Sequence, residues 1–121
     1  MLTKVFHLTS DAYSTFLRLG GQDSDEGKAF LELAFRNFDT HYELTATVDQ
    51  TDAFRQETAV SEAFGSTQNI TCHWSELGGV TMVGTSMRST SVGDIIEVRR
   101  SLYRIAACGC EYIGDATMVA G

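Results

Sequence analysis

The segment 88–96, RSTSVGDII, carries side chains that could either bind an anion or shape a turn. Its hydroxyls can hydrogen-bond the backbone where the chain turns, and its glycine permits a bulge or a close approach. Asp94 can accept hydrogen bonds from nearby backbone N–H groups. These roles predict a shaped turn that leads into a core strand. The alternative is an anion-binding nest in which Arg88, Ser89 and Ser91 hold a nucleotide or another anionic small molecule.

The cysteines suggest metal binding, but their spacing argues against it. Cys72, Cys108 and Cys110 could join His73 in a Cys₃His zinc set. Cys72 and His73 are adjacent, however, and cannot easily converge on one ion. Structural zinc sites usually contain C-x₂₋₄-C pairs, whereas the C-x-C spacing of Cys108 and Cys110 places both thiols on the same face of a strand. We therefore predict thiols in a reducing compartment, with no metal site and no cofactor.

The histidines give no recognisable catalytic motif. A serine or cysteine nucleophile needs a histidine that is itself held by a third group. His7, His41 and His73 lie in no G-x-S-x-G elbow, HExxH motif or phosphate-binding loop. The sequence therefore predicts a protein that is not an enzyme. A hydrolase or transferase that uses the histidines or cysteines is the alternative.

Negative charge is concentrated in the first half of the chain. Residues 1–62 hold eleven Asp and Glu against five Lys and Arg, whereas residues 63–121 hold five against four. This balance disfavours direct binding to nucleic acid, because such binding depends on cations that neutralise phosphates. It permits an acidic surface that meets a basic partner, or one that only keeps the protein soluble. The carboxylates proposed for this surface are Asp23, Asp25, Glu26 and Glu32.

Trp74 is the only tryptophan and lies in the polar segment TQNITCHWSELGG. An indole in such a loop either covers the core or anchors an interface, since tryptophan is enriched at binding hot spots. Together with Asn69 and His73, Trp74 forms a second candidate interface with a protein partner.

Hydrophobic periodicity predicts the elements of the first half of the chain. Residues 1–8 read as a strand. A helix then begins at the N-cap Ser10 and ends at Gly20, and a second helix begins at the N-cap Ser24. The apolar face of this second helix consists of Phe30, Leu31, Ala34, Phe35 and Phe38.

The period then changes to that of a sheet. Residues 41–49 alternate between apolar and polar types, which predicts a strand with one solvent-facing side. Asp49 or Thr51 can cap a third helix that ends at Gly65. Four further strands are predicted at 79–84, 92–98, 101–107 and 110–113, the middle two joined by the tight turn Arg99-Arg100. The pattern predicts one α+β domain over residues 1–121, with helices packed on a mostly antiparallel sheet and a β-meander at the end.

Neither the N-terminus nor any internal stretch resembles a targeting or membrane-spanning segment. The first residues lack the apolar region of a secretory signal, and no run approaches the ~20 apolar residues that cross a bilayer. We therefore expect a cytoplasmic protein without a membrane partner. The sequence indicates no oligomeric state.

Several segments resemble a widespread family of small uncharacterised proteins from bacteriophages and plasmids. They are YELTATVD (42–49), SEAFGSTQNI (61–70), Trp74, RSTSVGDII (88–96), Tyr103 and CGCEYI (108–113). The resemblance covers about residues 42–113 and is most specific over 88–94. This chain departs from the family at Cys110, where an aromatic residue is frequent, which weakens a metal role for that position.

The resemblance implies a source on a mobile genetic element and no particular reaction. By analogy with other small acidic proteins of such elements, we expect a non-enzymatic accessory protein that binds a host protein complex in the host cytosol. Inhibition of a host defence system, of the anti-CRISPR or anti-restriction type, is the specific role expected. The alternative function is the small-molecule or nucleotide-binding module described above.

Overall fold

An antiparallel sheet of six strands lies at the centre of the described chain. The computed structural model describes residues 2–50, 56–68, 79–84, 86 and 88–118. Within these residues every neighbouring pair of strands is antiparallel, in the order β3-β2-β1-β4-β5-β6. The strands are β1 Leu2–Leu8, β2 Tyr42–Asp49, β3 Val80–Met82, β4 Ile95–Val98, β5 Ser101–Ile105 and β6 Cys110–Asp115. The predicted α+β class and C-terminal meander are confirmed.

Helices cover both faces of the sheet. The described helices are α1 Ser10–Arg18, α2 Asp25–Arg36, α3 Phe38–His41 and α4 Gln56–Ser66, with 3₁₀ turns at Gly21–Asp23 and Ala116–Met118. One core cluster joins α4 to the sheet through Ala59, Val60, Ala63, Val5 and Ile96. The other joins α1 and α2 to the opposite face through Ala12, Phe16, Leu31, Ala34, Leu8 and Ile95. Burying these apolar side chains is the main force that holds the layers together.

Of the two N-caps predicted for the first two helices, one is confirmed and one is wrong. Ser24 is the N-cap of α2, as predicted, and its Oγ accepts from the backbone N–H of Gly27 at 2.9 Å. The prediction that Ser10 caps α1 is wrong. Thr9 is the N-cap and its Oγ1 accepts from Ala12 N–H at 3.3 Å, so that Ser10 is the first helical residue.

The apolar face predicted for the second helix is divided between two elements. Helix α2 ends at Arg36, and Phe38 begins the short helix α3. Leu31 and Ala34 are buried, whereas the phenylalanines pack at the edge of the same cluster. Of the two predicted caps of the third helix, Asp49 is wrong, because it is the last residue of β2, and Thr51 lies outside the described part of the chain.

A β-bulge overturns the prediction that β2 has one polar face. Val5 of β1 lies opposite Ala46, but the next residue, Phe6, lies opposite Leu44. Thr45 is the extra residue, and it is fully buried. Because an extra residue reverses the alternation of side chains, the apolar residues of β2 before the bulge face α1 and α2, and those after it face α4. Both faces of β2 are therefore covered.

The hairpin between β4 and β5 forms at the predicted position with an unusual turn. Ile96 pairs with Tyr103 and Val98 with Ser101, which leaves Arg99 and Arg100 in the loop. Their φ angles are 49° and 71°, in the left-handed region. A two-residue hairpin turn of type I′ requires this conformation at both positions because it matches the twist of the strands, but glycine and asparagine adopt it more easily.

Candidate functional site

A buried carboxylate at the start of β4 organises the conspicuous segment 88–96. Asp94 is fully buried. Its Oδ1 accepts from the backbone N–H of Leu8 at 2.9 Å and its Oδ2 from that of Ser91 at 2.7 Å. Both oxygens also accept from the Arg88 guanidinium, Oδ1 at 2.8 Å and Oδ2 at 2.6 Å. Asp94 thereby ties the turn to the end of β1.

The Arg88 guanidinium is bound on several sides by the protein itself. Besides Asp94, it donates to the carbonyl oxygens of Ser89 at 3.1 Å and Leu8 at 3.2 Å. It also lies over the ring of Tyr13, 3.9 Å from the ring centre. The side chain remains 23% exposed. An anion bound by Arg88 would have to compete with Asp94 for the same donors.

His7 lies in the interior at the far end of β1 and connects three segments of the chain. Its Nδ1 is 2.7 Å from Ser86 Oγ and its Nε2 is 2.8 Å from Thr90 Oγ1. Thr90 Oγ1 is in turn 2.6 Å from Thr67 Oγ1, just after α4. Asp94 Oδ2 lies 3.9 Å from His7 Nε2. The His7–Asp94 cluster consists of His7, Thr67, Ser86, Arg88, Thr90 and Asp94.

The Ser86–His7 contact has the geometry of a nucleophile and its base, but the environment of His7 makes it a weak base. The imidazole is fully buried, and this burial lowers the pKa of His7 to about 4. The negative charge of Asp94 raises that pKa and the positive charge of Arg88 lowers it, both to a smaller extent than burial. A general base works best when its pKa is near the operating pH. At neutral pH His7 is uncharged and serves to hold hydroxyl groups together.

The backbone conformation and the packing at position 93 require a glycine. Its φ is +95°, and a Cβ there would lie 3.1 Å from Leu31 Cδ2 and 3.2 Å from Leu8 Cδ1. Its carbonyl accepts from the buried Tyr42 hydroxyl at 2.8 Å. The two serines proposed for anion binding also make a local contact, since Ser91 Oγ donates to the carbonyl of Ser89 at 3.0 Å.

The acidic residues predicted for an interface lie around the start of α2. Asp23, Asp25 and Glu26 are exposed, and none forms an ion pair with another described residue. Glu32, one to two turns further along α2, is 60% exposed and binds Arg104 Nη1 at 2.9 Å. Three of the four carboxylates therefore face solvent without a protein partner in the described chain.

Some predicted residues lie outside the described part of the chain. These are the interface candidates Asn69, His73 and Trp74, together with Cys72. Cys108 is an exposed free thiol, and Cys110 is half-buried. Within residues 2–50, 56–68, 79–84, 86 and 88–118, no group of three or more His, Cys, Asp or Glu side chains is arranged to hold a metal ion. No helix in the same ranges is long and apolar enough to cross a bilayer.

Comparisons with protein-family models, with curated proteins and with solved structures found no match to this chain. The resemblance to small phage and plasmid proteins therefore stays a prediction. Function has to be argued from the His7–Asp94 cluster and from the charged surface.

Proposed function

We propose that this chain is a non-enzymatic accessory protein of a phage or plasmid that binds a host protein complex and inhibits a host defence system. The observation that carries this proposal is the group of exposed carboxylates Asp23, Asp25 and Glu26. We call these three residues the acidic surface. Their charges are not neutralised by described neighbours, so they attract a basic surface and speed its association.

The arrangement of the chemically conspicuous residues supports binding over catalysis. The carboxylate of Asp94 is occupied by Arg88 and by two backbone N–H groups, and His7 is sealed from solvent with a depressed pKa. A substrate would have to displace these internal contacts before it could reach either side chain. Among the described residues, the exposed carboxylates of the acidic surface are free to contact another molecule.

A phage-plating assay tests the proposed activity. Bacteria that carry a restriction or CRISPR system would express the wild-type chain, and the plating efficiency of a targeted phage would be measured. We expect the wild type to raise plating. We expect the triple variant D23K/D25K/E26K to lose this effect, because each reversal replaces attraction by repulsion at the interface.

Two further variants control for charge and for catalysis. The variant D39K/E62K/E111K changes the net charge equally, at exposed residues that are not part of the acidic surface, and should still raise plating. Ser86→Ala should also keep activity. Loss of activity in Ser86→Ala, with retention in D23K/D25K/E26K, would instead favour an enzyme that uses the Ser86–His7 pair.

A further inference from the structure

Arg104 is a buried cation with unsatisfied donors. It lies on β5, and its side chain is 9% exposed. Nη1 donates to Glu32 Oε1 at 2.9 Å. Nε and Nη2 are buried and make no hydrogen bond of good geometry within the described ranges. Buried donors of an arginine are rarely left unpaired, because water is lost without replacement.

The neighbouring groups do not neutralise Arg104 from inside the protein. The Tyr42 hydroxyl donates its own proton to the Gly93 carbonyl at 2.8 Å, and its oxygen lies within hydrogen-bonding reach of Arg104, but it brings no negative charge to the guanidinium. Burial raises the pKa of Tyr42, so its hydroxyl stays uncharged. The carboxylate in contact with Arg104 is Glu32, which is 60% exposed. Such an ion pair is weak because water competes for the exposed partner.

A cavity of about 370 Å³ opens next to this ion pair. Its size lies within the range of small-molecule sites. Lys28 and Arg104 supply positive charge to its wall, and Glu32 and Glu111 supply negative charge. Leu31, Val92 and Ile105 form apolar parts of the wall. The wall therefore carries two cations and two carboxylates beside apolar surface, and the buried member of this charged set is the Arg104 guanidinium.

We propose that this cavity binds a small organic monocarboxylate whose carboxylate replaces Glu32 on Arg104. The planar guanidinium can donate two parallel hydrogen bonds to a carboxylate, whereas Glu32 now receives one described bond. Glu32 can turn into solvent at small cost, and Lys28 adds attraction for the incoming anion. A dianionic phosphate fits less well, because the negative charges of Glu32 and Glu111 remain at the wall. This site is separate from segment 88–91 and does not depend on the proposed function.

The test is a titration of the full chain with sodium benzoate. Binding is monitored through the NMR signals of the arginine Nε–H groups and through thermal unfolding. Sodium chloride at equal ionic strength corrects for salt. We expect a saturable shift of the Arg104 Nε–H signal and a smaller one at Arg88, which is bound to Asp94. No saturable shift at Arg104 would overturn the proposal.

Variants of α2 identify the competing carboxylate. Glu32→Gln should lower the apparent dissociation constant for benzoate by up to about fivefold, the range measured for exposed ion pairs. Glu26→Gln, a matched exposed carboxylate on the same helix, should leave it unchanged. Arg104→Met should abolish the saturable thermal shift. Equal effects of Glu32→Gln and Glu26→Gln would refute competition at Arg104, and tighter binding of inorganic phosphate than of benzoate would refute the monocarboxylate assignment.

Discussion

Replacing Asp94 by asparagine tests whether the His7–Asp94 cluster holds the fold together. Asparagine keeps the shape of the side chain but removes its charge and turns one acceptor oxygen into a donor. The Arg88 guanidinium and the Ser91 N–H then lose acceptors. Breaking a buried ion pair by removing one partner costs about 3–5 kcal/mol. Arg88 is 23% exposed and regains some hydration, so we expect the lower end, about 3 kcal/mol.

Chemical denaturation followed by circular dichroism measures this loss directly. The unfolding entropy of a 121-residue chain is about 0.25 kcal/mol/K, so the same substitution should lower Tm by about 12 °C. The control Glu62→Gln removes an exposed carboxylate on α4 and should stay within about 0.5 kcal/mol of wild type.

A double-mutant cycle separates the ion pair from the other contacts of Asp94. Arg88→Met combined with Asp94→Asn should cost less than the two single changes added together, because no charge is left unpaired. We expect a coupling of at least about 1 kcal/mol. Additive costs, or a stability of Asp94→Asn close to that of Glu62→Gln, would refute the structural role of the cluster.

Three further predictions concern the same region and the β4–β5 turn. Burial lowers the pKa of His7 from 6.5 to about 4. Between pH 6.5 and pH 4 the unfolded chain therefore binds a proton at His7 that the folded chain does not bind. The free energy of unfolding should fall as the pH falls through this range. The loss should be about 3 kcal/mol larger in wild type than in His7→Gln, measured by urea denaturation at each pH; parallel profiles would contradict it. Gly93→Ala should destabilise the protein by about 2 kcal/mol or more, because residue 93 has a φ of +95° and a Cβ there would be crowded. Gly65→Ala has open space around the new Cβ and should stabilise the protein by up to about 1 kcal/mol. Thermal unfolding should therefore show Tm shifts of opposite sign for the two variants. Arg99→Asn with Arg100→Gly should raise stability by about 1–2 kcal/mol, because this pair adopts the left-handed turn without strain, and an unchanged denaturation midpoint would count against the strain.

Local signals in the sequence predicted most of the elements. Ser24 and the acidic residues after it mark the start of α2, and alternation marked β4 and β5 on either side of a two-residue turn. The pattern of β2 misled, because alternation along one strand cannot reveal a bulge. Only the pairing with β1 shows that Thr45 is inserted.

The segment 88–96 was predicted to shape a turn, and contacts of that kind are present around Asp94 and Gly93. The rest of the His7–Asp94 cluster could not be predicted, because His7 and Ser86 are 79 positions apart in the chain. The ion pair between Glu32 and Arg104 spans 72 positions and was missed for the same reason. Contacts at such separations depend on the packing of whole elements, which a local pattern does not contain.

Affinity capture from a host lysate tests the central claim most directly. Wild type, Ser86→Ala and D23K/D25K/E26K would be immobilised after their folding has been verified, and bound proteins would be identified by mass spectrometry. Binding through the acidic surface predicts that wild type and Ser86→Ala retain the same host protein and that the triple variant loses it. Retention of that protein by the triple variant would contradict the claim.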